Sequence, residues 1–253
     1  MLRIVTYKPV AIVTGASHPN DIGAAICRKL ASQGVDIFFT YFKADAHWKE
    51  QFVNELESMG VRCRGKEIDL SKPDAAKEVM VDAIDTLDIP TILINNAAHT
   101  INSDFMDLDV KTLDAHYAVN VRTTCLLSVE FARTLQTHGL KWGRIISLTS
   151  GQDIGPMPGN LAYVASKGAL SAFTVSLSAE LAPLGITVNA VNPGPTDSTW
   201  MTDEIRNHLL PKFLMGRIGT PEDCARMIGF LASEEAEWIT GQVIHSEGGF
   251  LRG

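Results

Sequence analysis

The sequence predicts an α/β fold in which helices cover both faces of a mostly parallel, seven-stranded sheet. Short apolar segments alternate with longer helical patterns along all 253 residues, as right-handed strand–helix–strand crossovers require. The segments AIVTG, DIFFTY, TILINN and RIISLT are continuously apolar, which is typical of strands buried on both faces. Apolar residues make up 45% of the chain and charged residues 20%, so a sizeable core can form.

The elements follow one another in a regular order. The predicted strands are residues 10–14, 36–41, 61–68, 91–95, 144–149, 186–191 and 242–246. The predicted helices are residues 22–33, 44–59, 73–86, 110–136, 163–181 and 221–231. Gly34 and Gly60 stop two of these helices, and Pro73 is predicted at the first turn of another.

The chain shows no internal repeat, low-complexity tract or linker, so residues 1–253 are predicted to form one domain. Residues 196–215 have no clear place in the sheet. They follow a strand, where a substrate lid could be inserted, and we expect a lid there.

Charge and composition exclude several classes of protein. The formal net charge is −7, so a nucleic-acid partner is not expected. No window of 18 apolar residues predicts a membrane span, and the first strand begins too early to leave room for a signal peptide. The four cysteines lie far apart and no metal-ligand spacing is present. A cytoplasmic enzyme without a metal is therefore expected.

A glycine-containing turn joins the first strand to the first helix. Residues 14–23 are TGASHPNDIG, and such a turn lets backbone N–H groups approach a pyrophosphate at the start of a helix. The turn has an unusual feature at Asp21. That residue either caps the helix or places a repelling carboxylate near the pyrophosphate, and the sequence leaves both possibilities open.

Three side chains suggest acid–base chemistry. Tyr163 and Lys167 are four residues apart, so a helix would place them on one face. A nearby ammonium group stabilises a phenolate, and we therefore expect Lys167 to lower the pKa of Tyr163. Ser150 follows the fifth strand, at the edge of a parallel sheet where ligands bind, and can donate to the same substrate oxygen as Tyr163.

Together these motifs resemble the short-chain dehydrogenase/reductase family, in its order and at its spacing, over about residues 8–250. The resemblance also rests on Asp69-Leu70, Asn95-Asn96-Ala97-Ala98, Asn120, Asn192-Pro193-Gly194-Pro195-Thr196 and the glycines near the end of the chain. It implies a Rossmann fold and a hydride transfer between a nicotinamide cofactor and a carbonyl or secondary alcohol. In general style the chain is similar to 3-oxoacyl-carrier-protein reductases.

The resemblance implies a role for each matched position. Tyr163 would be the general acid or base, Ser150 would polarise the carbonyl, and Asn120 would anchor a water in a proton relay. Lys167 would hold the nicotinamide ribose as well as act on Tyr163. The cofactor-binding residues implied are Gly15, Ser17, Asp21, Ile22, Tyr41, Lys43, Asp69, Leu70, Asn96, Ala97, Tyr163, Lys167, Pro193, Gly194 and Thr196.

The end of the second strand bears on the choice of cofactor. NAD-binding sites usually carry a carboxylate there, which binds the ribose 2′-hydroxyl. This chain has Tyr41 at that place and Lys43 two residues later, so NADP(H) is predicted in preference to NAD(H). Asp21 is the residue that argues against this prediction.

The substrate is weakly encoded. The predicted lid carries apolar residues suited to an aliphatic or acyl group, namely Trp200, Met201, Phe213, Leu214 and Met215. The loop at 182–185 lacks the basic residue expected to meet an acidic carrier protein. His99, His116 and His208 are weak candidates for substrate contact.

Several functions stay open. The leading one is an NADP(H)-dependent ketoreductase, with a 3-oxoacyl thioester as one possible substrate. The others are an NAD-dependent alcohol dehydrogenase, an enoyl reductase and a non-catalytic dinucleotide-binding protein. The lengthened turn resembles that of enoyl reductases, whereas the three residues between Tyr163 and Lys167 favour carbonyl chemistry. The helix at 163–181 is apolar on nearly every face, so a second subunit is expected to cover it, in a homotetramer or dimer.

Overall fold

The computed structural model describes residues 8–252, which form one seven-stranded parallel sheet covered by helices on both faces. The strands are β1 (Val10–Val13), β2 (Asp36–Tyr41), β3 (Cys63–Glu67), β4 (Ile92–Asn95), β5 (Gly143–Leu148), β6 (Ile186–Asn192) and β7 (Val243–His245). Their order across the sheet is β3-β2-β1-β4-β5-β6-β7, and every neighbouring pair is parallel. The predicted doubly covered sheet is confirmed.

Helices connect successive strands. They are α1 (Ile22–Ser32), α2 (Trp48–Ser58), α3 (Ala75–Thr86), α4 (Val110–His116), α5 (Thr124–Thr137), α6 (Leu161–Leu181), α7 (Asp203–Leu209) and α8 (Pro221–Leu231). A π-helical segment, Tyr117–Thr123, joins α4 to α5. Helices α7 and α8 both lie between β6 and β7, and α7 falls inside the predicted lid.

Two apolar clusters lie on opposite faces of the sheet, because side chains alternate along each strand. In β1, Ala11 and Val13 face one cluster and Val10 and Ile12 face the other. The first cluster is completed by α1, α2 and α8, and the second by α3, α5 and α6. Burial on both faces explains why the strands are continuously apolar.

Several predicted helices differ from the structure. The helix predicted at 44–59 spans Trp48–Ser58, and the one predicted at 163–181 begins at Leu161. The predicted helix at 110–136 is interrupted by the π-helical segment around Asn120. The helix predicted from Pro73 begins at Ala75, so placing Pro73 in its first turn was wrong. Pro73 lies instead in a turn, where the Lys72 N–H donates to the Asp69 carbonyl at 3.1 Å and delays the helix.

No helix within residues 8–252 is both long enough and apolar enough to cross a bilayer. The same residues contain no group of three or more His, Cys, Asp or Glu side chains that could hold a metal ion. All four cysteines are unpaired thiols, and three of them are buried.

Candidate active site

The strand order reverses between β1 and β4, which leaves a crevice outside the carboxyl ends of these strands. A cavity of about 530 Å³ lies there. Its walls come from the turn after β1, the ends of β2 and β3, and the segment after β4. The lining residues include Gly15, Ser17, Tyr41, Lys43, Asp69, Leu70, Asn96, Ala97 and His99. The fold thus brings together, at one cavity, eight of the residues assigned to the cofactor by resemblance.

The turn after β1 is locked to the segment after β4. Gly15 has φ of +75°, and a Cβ there would lie 2.7 Å from the Cα of Ala97. The Asn96 Nδ2 group donates to the carbonyls of Thr14 and Gly15 at 2.9 and 2.8 Å. Only glycine fits this close approach, which keeps the backbone of the turn near the cavity.

Asp21 caps α1. Its Oδ1 accepts from the Ala24 N–H at 2.6 Å, and its Oδ2 accepts from the N–H groups of Ser17 and His18 at 2.8 and 3.0 Å. Burial raises the pKa of Asp21, while these three donors act to lower it. The structure therefore favours the capping interpretation of Asp21, because both carboxylate oxygens are bound to the turn itself.

Glu67, a carboxylate that was not predicted from the sequence, bonds to a residue that lines the cavity. The Lys43 backbone has φ of +51°, and its N–H donates to the Glu67 Oε1 at 3.0 Å. Asp69 accepts from the backbone and the hydroxyl of Ser71, and these bonds hold the pKa of Asp69 below its usual range. β2 and β3 pair in register, with Tyr41 opposite Glu67, so the carboxylate comes from the neighbouring strand.

The other residues assigned to the cofactor by resemblance do not line this cavity. Ile22 packs against the apolar core at the start of α1, whereas Leu70 is a lining residue whose carbonyl accepts from the Thr123 hydroxyl at 2.6 Å. Gly194 has φ of +67°, and its N–H donates to the Asn192 Oδ1 at 2.9 Å. Thr196 is buried and its hydroxyl donates to the Gly194 carbonyl at 3.2 Å. Pro193 stands between Asn192 and Gly194 in the same turn.

Ser150, Tyr163 and Lys167 meet at the carboxyl end of β5. Ser150 follows β5 directly, and Tyr163 and Lys167 lie one turn apart in α6. The Lys167 Nζ lies 5.6 Å from the centre of the Tyr163 ring and donates to the Leu148 carbonyl at 2.6 Å. Lys167 is 2% exposed, and burial lowers its pKa to about 8.

The expectation that Lys167 lowers the pKa of Tyr163 does not hold in this structure. Burial raises the pKa of the phenol, and the group that opposes this rise is Ser150, through a hydrogen bond. The reason is geometric, because the ammonium group is directed to the Leu148 carbonyl rather than to the phenol oxygen.

Asn120 lies fully buried within the π-helical segment. Its Oδ1 accepts from the His99 N–H at 2.7 Å, and its Nδ2 donates to the His99 carbonyl at 3.0 Å and the Ser166 hydroxyl at 2.9 Å. Asn120 thus connects the segment after β4 to α6, one residue before Lys167. π-helical turns inside α-helices are frequent at functional sites, and this one carries the polar side chain of Asn120.

The three histidines differ in their surroundings. His116 is buried, with its Nδ1 2.8 Å from the Thr112 carbonyl and its Nε2 accepting from Ile101 N–H at 3.2 Å. The His99 ring lies 4.8 Å from that of His116 and lines the cavity, and burial lowers its pKa. His208 is exposed on α7.

Several groups around Ser150 were not predicted from the sequence. The Gln152 Oε1 accepts from the Ser150 N–H at 3.1 Å, and the Ser150 hydroxyl lies 3.8 Å from the Met157 sulfur. The guanidinium group of Arg252, from the far end of the chain, packs against Gly151. Gly151 and Gly155 were the sequence signals that could have indicated this packing, because a glycine without a positive φ often marks a place where another group approaches the backbone closely.

The predicted lid is partly a packing unit. Met201, Phe213 and Ile218 form a small buried cluster, whereas Leu214 and Met215 are exposed and Trp200 is half exposed. Arg206 of α7 makes a bidentate ion pair with Asp197, in which its Nε and Nη2 groups donate to the two carboxylate oxygens at 2.9 and 2.8 Å. These contacts join residues of 197–218 to one another, so the segment packs on itself.

The crevice fits a nicotinamide dinucleotide. The close approach at Gly15 leaves backbone next to the cavity, Asp69 presents a carboxylate to it, and the cavity lies at the reversal of strand order. Ser150, Tyr163 and Lys167 stand at the carboxyl end of β5, on the same edge of the sheet.

Comparisons with known proteins agree with this architecture. A family model described as enoyl-(acyl carrier protein) reductase matches residues 15–251. An uncharacterized oxidoreductase of Bacillus subtilis is 66% identical over 248 residues, which cover 98% of this chain and 99% of that protein. A 3-oxoacyl-[acyl-carrier-protein] reductase of Aquifex aeolicus is 33% identical over 255 residues, covering 99% and 100%. The solved short-chain dehydrogenase/reductase of Serratia marcescens superposes with a TM-score of 0.86 at 32% identity, covering 96% of this chain and 97% of that one. The chain is therefore an oxidoreductase that belongs to the short-chain dehydrogenase/reductase family.

Proposed function

We propose that the protein is an NADP(H)-dependent ketoreductase, which interconverts a carbonyl compound and its secondary alcohol. One observation carries the proposal. Ser150 at the carboxyl end of β5 opposes the rise in the pKa of the Tyr163 phenol, and the Nζ of the buried Lys167 lies 5.6 Å from the centre of the Tyr163 ring. Proteins of this family bind a nicotinamide dinucleotide, and the crevice between β1 and β4 fits that group.

A nicotinamide cofactor, when bound, would supply a hydride to the carbonyl carbon, and the protein's side chains would bind and protonate the carbonyl oxygen. Tyr163 donates its phenolic proton to that oxygen as negative charge develops on it. Ser150 donates a second hydrogen bond to the same atom, which stabilises the charge in a site that is partly closed to water. In the oxidative direction Tyr163 accepts the proton instead.

Lys167 and Asn120 support the proposed acid–base role of Tyr163. Although burial lowers its pKa to about 8, Lys167 stays mostly protonated at neutral pH, and its Nζ lies 5.6 Å from the centre of the Tyr163 ring. We assign to Lys167 the binding of the nicotinamide ribose and to Asn120 a water in the proton path. Asn120 is suited to that role because it is held by His99 and Ser166 beside α6.

The proposed preference for NADP(H) is supported by Tyr41 and Lys43 at the end of β2. The side chain of Lys43 is a cation beside the cavity, and Tyr41 lacks the charge that would repel a 2′-phosphate. Asp21 no longer opposes the preference strongly, because its carboxylate is bound to three N–H groups.

An NAD-dependent alcohol dehydrogenase is the second candidate, and Glu67 favours it. This carboxylate accepts from the Lys43 N–H and so stands close to the place where NAD-binding sites carry an acid. The ratio of kcat/KM for the two cofactors separates the candidates. A ratio above about tenfold in favour of NADPH, corresponding to about 1.4 kcal/mol, supports the first.

For the substrate we propose a small or acyl ketone, including a 3-oxoacyl thioester. The similarity to the Aquifex aeolicus reductase supports an acyl chain, and exposed Leu214 and Met215 could contact one in the proposed lid. An enoyl reductase would instead use a crotonyl thioester. Parallel assays with acetoacetyl and crotonyl thioesters distinguish carbonyl from alkene reduction.

We also propose a homotetramer or dimer in the cytoplasm. Val175 on the outer face of α6 is 53% exposed, and other apolar side chains are exposed near α4 and α5, including Phe105, Val110 and Leu126. The unpaired cysteines suit a reducing compartment. Sedimentation equilibrium tests the assembly.

The decisive experiment measures NADPH oxidation with a panel of ketones for the wild type and for Tyr163→Phe. We expect the variant to lose at least about 10²-fold in kcat. Tyr117→Phe, at an exposed tyrosine, is the matched control and should keep its activity. Wild-type turnover by Tyr163→Phe would contradict the mechanism. Tight nucleotide binding by the wild type without turnover of any substrate would favour a non-catalytic dinucleotide-binding protein.

A further inference from the structure

The segment at 246–252 crosses between the proposed lid and the loop that follows Ser150. Phe250 forms an antiparallel bridge with Phe213, and the two rings lie 4.9 Å apart. The Leu251 N–H donates to the Lys212 carbonyl at 2.9 Å. This segment is therefore fixed to the lid by backbone and ring contacts, and it carries Arg252 toward the active site.

Arg252 fills the space beside two glycines in the Ser150 loop. A Cβ on Gly151 would collide with the guanidinium group, and one on Gly155 would lie 2.9 Å from the Arg252 Cδ. Neither glycine has a positive φ, so their backbones would accept other residues. The need for glycine at 151 and 155 comes from the packing of Arg252 against the loop. Gly151 directly follows Ser150, so this packing reaches the residue next to the proposed carbonyl-polarising group.

The charge of Arg252 is paired on its other side. Its guanidinium contacts the Glu247 carboxylate, and both side chains are largely buried, at 16% and 9% exposure. Glu247 also accepts from the Asn192 Nδ2 at 2.7 Å, and a Cβ on Gly194 would lie 3.0 Å from the Glu247 Cβ. Glu247 is thereby held against the turn that contains the proposed cofactor residues Pro193 and Gly194.

The Arg252–Glu247 pair thus spans two loops that belong to different halves of the proposed reaction. One loop carries Ser150, which would bind the substrate oxygen, and the other carries Gly194, on the cofactor side. A charged pair buried this far is held in one geometry, because separating it would leave each charge without its partner in a poorly hydrated place. On its outer side the Ser150 loop is held by Asp153 and Gln152, which both bond to Ser171 of α6.

We propose that Arg252 is a positioning residue of the active site, which sets the distance between the Ser150 hydroxyl and the cofactor loop through Glu247. The proposal rests on the ketoreductase function for its kinetic consequences. Arg252 contacts neither reacting atom in this assignment. It acts by holding Gly151 and Gly155 on one side and Glu247 on the other.

The expected effect is on the hydride-transfer step. A displacement of about 1 Å in a positioned group can reduce the rate by about 10²-fold. Arg252→Gln removes the ion pair with Glu247 and should therefore lower kcat by about tenfold or more. We expect less than the full loss of about 10²-fold, because the contacts of the Ser150 loop with Ser171 remain. The change in kcat should exceed the change in the dissociation constant for NADPH, because the loop at 192–196 is loosened while the residues that line the main cavity are not altered. The deuterium isotope effect on kcat with 4-deuterated NADPH should rise, since hydride transfer becomes more strongly rate-limiting.

Three further variants sharpen the test. Gly151→Ala should reproduce the loss, because its Cβ displaces the guanidinium group. The double variant Gly151→Ala/Arg252→Gln should be no slower than the slower single variant, since both changes remove the same contact. Arg252→Lys should recover part of the activity by restoring the ion pair. Arg226→Gln, which removes an exposed Arg226–Asp223 pair, is the control and should match the wild type.

Hydrogen–deuterium exchange separates this proposal from the function on which it rests. Arg252→Gln should increase exchange in residues 150–158 and 192–196 while the central strands stay protected, whether or not a substrate is turned over. If the wild type reduces no ketone but this local exchange appears, the ketoreductase function fails and the positioning contact stands. Unchanged exchange in both loops would overturn the proposal. So would kcat within twofold of the wild type, or a uniform rise in exchange across the chain.

Discussion

Asp21 offers a direct test of how a carboxylate is accommodated in a turn expected to face a pyrophosphate. Three backbone N–H groups converge on it, from Ser17, His18 and Ala24. In Asp21→Asn the side-chain oxygen can still accept from Ala24. The new Nδ2 group, however, would face the other two donors, because both of them bond to the same oxygen in the wild type.

The size of the effect follows from the burial of those donors. A buried donor left without an acceptor costs about 1–3 kcal/mol. Ser17 is partly buried, whereas His18 is exposed and water can replace its lost bond. We therefore expect Asp21→Asn to lower the free energy of unfolding by about 2 kcal/mol. Urea titration of both proteins, with linear extrapolation, measures this difference.

Asp109 provides a matched control. It caps α4 and accepts from the Thr112 N–H at 2.7 Å, but its side chain is exposed to water. Asn and Asp are equally good at such a cap, so Asp109→Asn should change stability by less than about 0.5 kcal/mol. NADPH titrations complete the experiment, and Asp21→Asn should bind no more tightly than the wild type. Unchanged stability together with tenfold tighter binding would refute the capping role and restore the idea of a repelling charge.

Three other perturbations probe the fold and the site. Lys167 has its pKa lowered to about 8 by burial, so the unfolded state binds the proton more tightly. Between pH 8 and about 10.5 the stability of the wild type should therefore rise relative to Lys167→Met, by an amount on the order of 3 kcal/mol in urea titrations. Gly23→Ala should lower the midpoint of thermal unfolding strongly, because its Cβ would collide with the Gly15 carbonyl oxygen and lie 2.8 Å from the Asn96 Nδ2. Gly168→Ala is the control: its Cβ would have no neighbour within 4 Å, so this helix substitution should raise the midpoint. Asp36 is fully buried, and burial alone would raise its pKa, but its bonds to Lys8 and Arg62 have the larger effect and lower the pKa. The ionised Asp36 carboxylate therefore stabilises the fold at neutral pH, and this stabilisation is lost on acidification. The difference in unfolding free energy between the wild type and Asp36→Asn should accordingly shrink as the pH falls below about 4, and a difference that stays constant would contradict this.

Much of the fold was predictable because strand burial leaves a strong local pattern. β2 and α8 occur at the predicted boundaries, and the other strands differ by a few residues. The errors fall where a hydrogen bond in an adjacent turn, or a contact with a distant segment, competes with the helix preference of the residues. Pro73 is sterically suited to a first turn, yet a hydrogen bond between Lys72 and Asp69 extends the preceding turn. The π-helical segment at Asn120 depends on contacts with His99 and Ser166, which are distant in sequence.

The candidate site was predictable in membership but not in electrostatics. The order and spacing of Ser150, Tyr163 and Lys167 suffice to place them at one end of β5, because a parallel sheet aligns its carboxyl ends. The direction of the Lys167 ammonium group could not be derived in the same way. It depends on the Leu148 carbonyl, on the depth of burial and on the path of α6 across the sheet.

The sequence by itself determined the doubly covered parallel sheet, the crevice at its carboxyl edge and the side chains that meet there. These features follow from residues close together in the chain, through apolar periodicity, turn chemistry and helical spacing. Only the tertiary structure decided that Asp21 binds its own turn, that Glu67 stands beside Lys43 and that Arg252 packs next to Ser150. The physical reason is that hydrogen bonds and ion pairs act over a few ångströms. The partners of a charge are therefore known only once the fold has brought distant segments into contact.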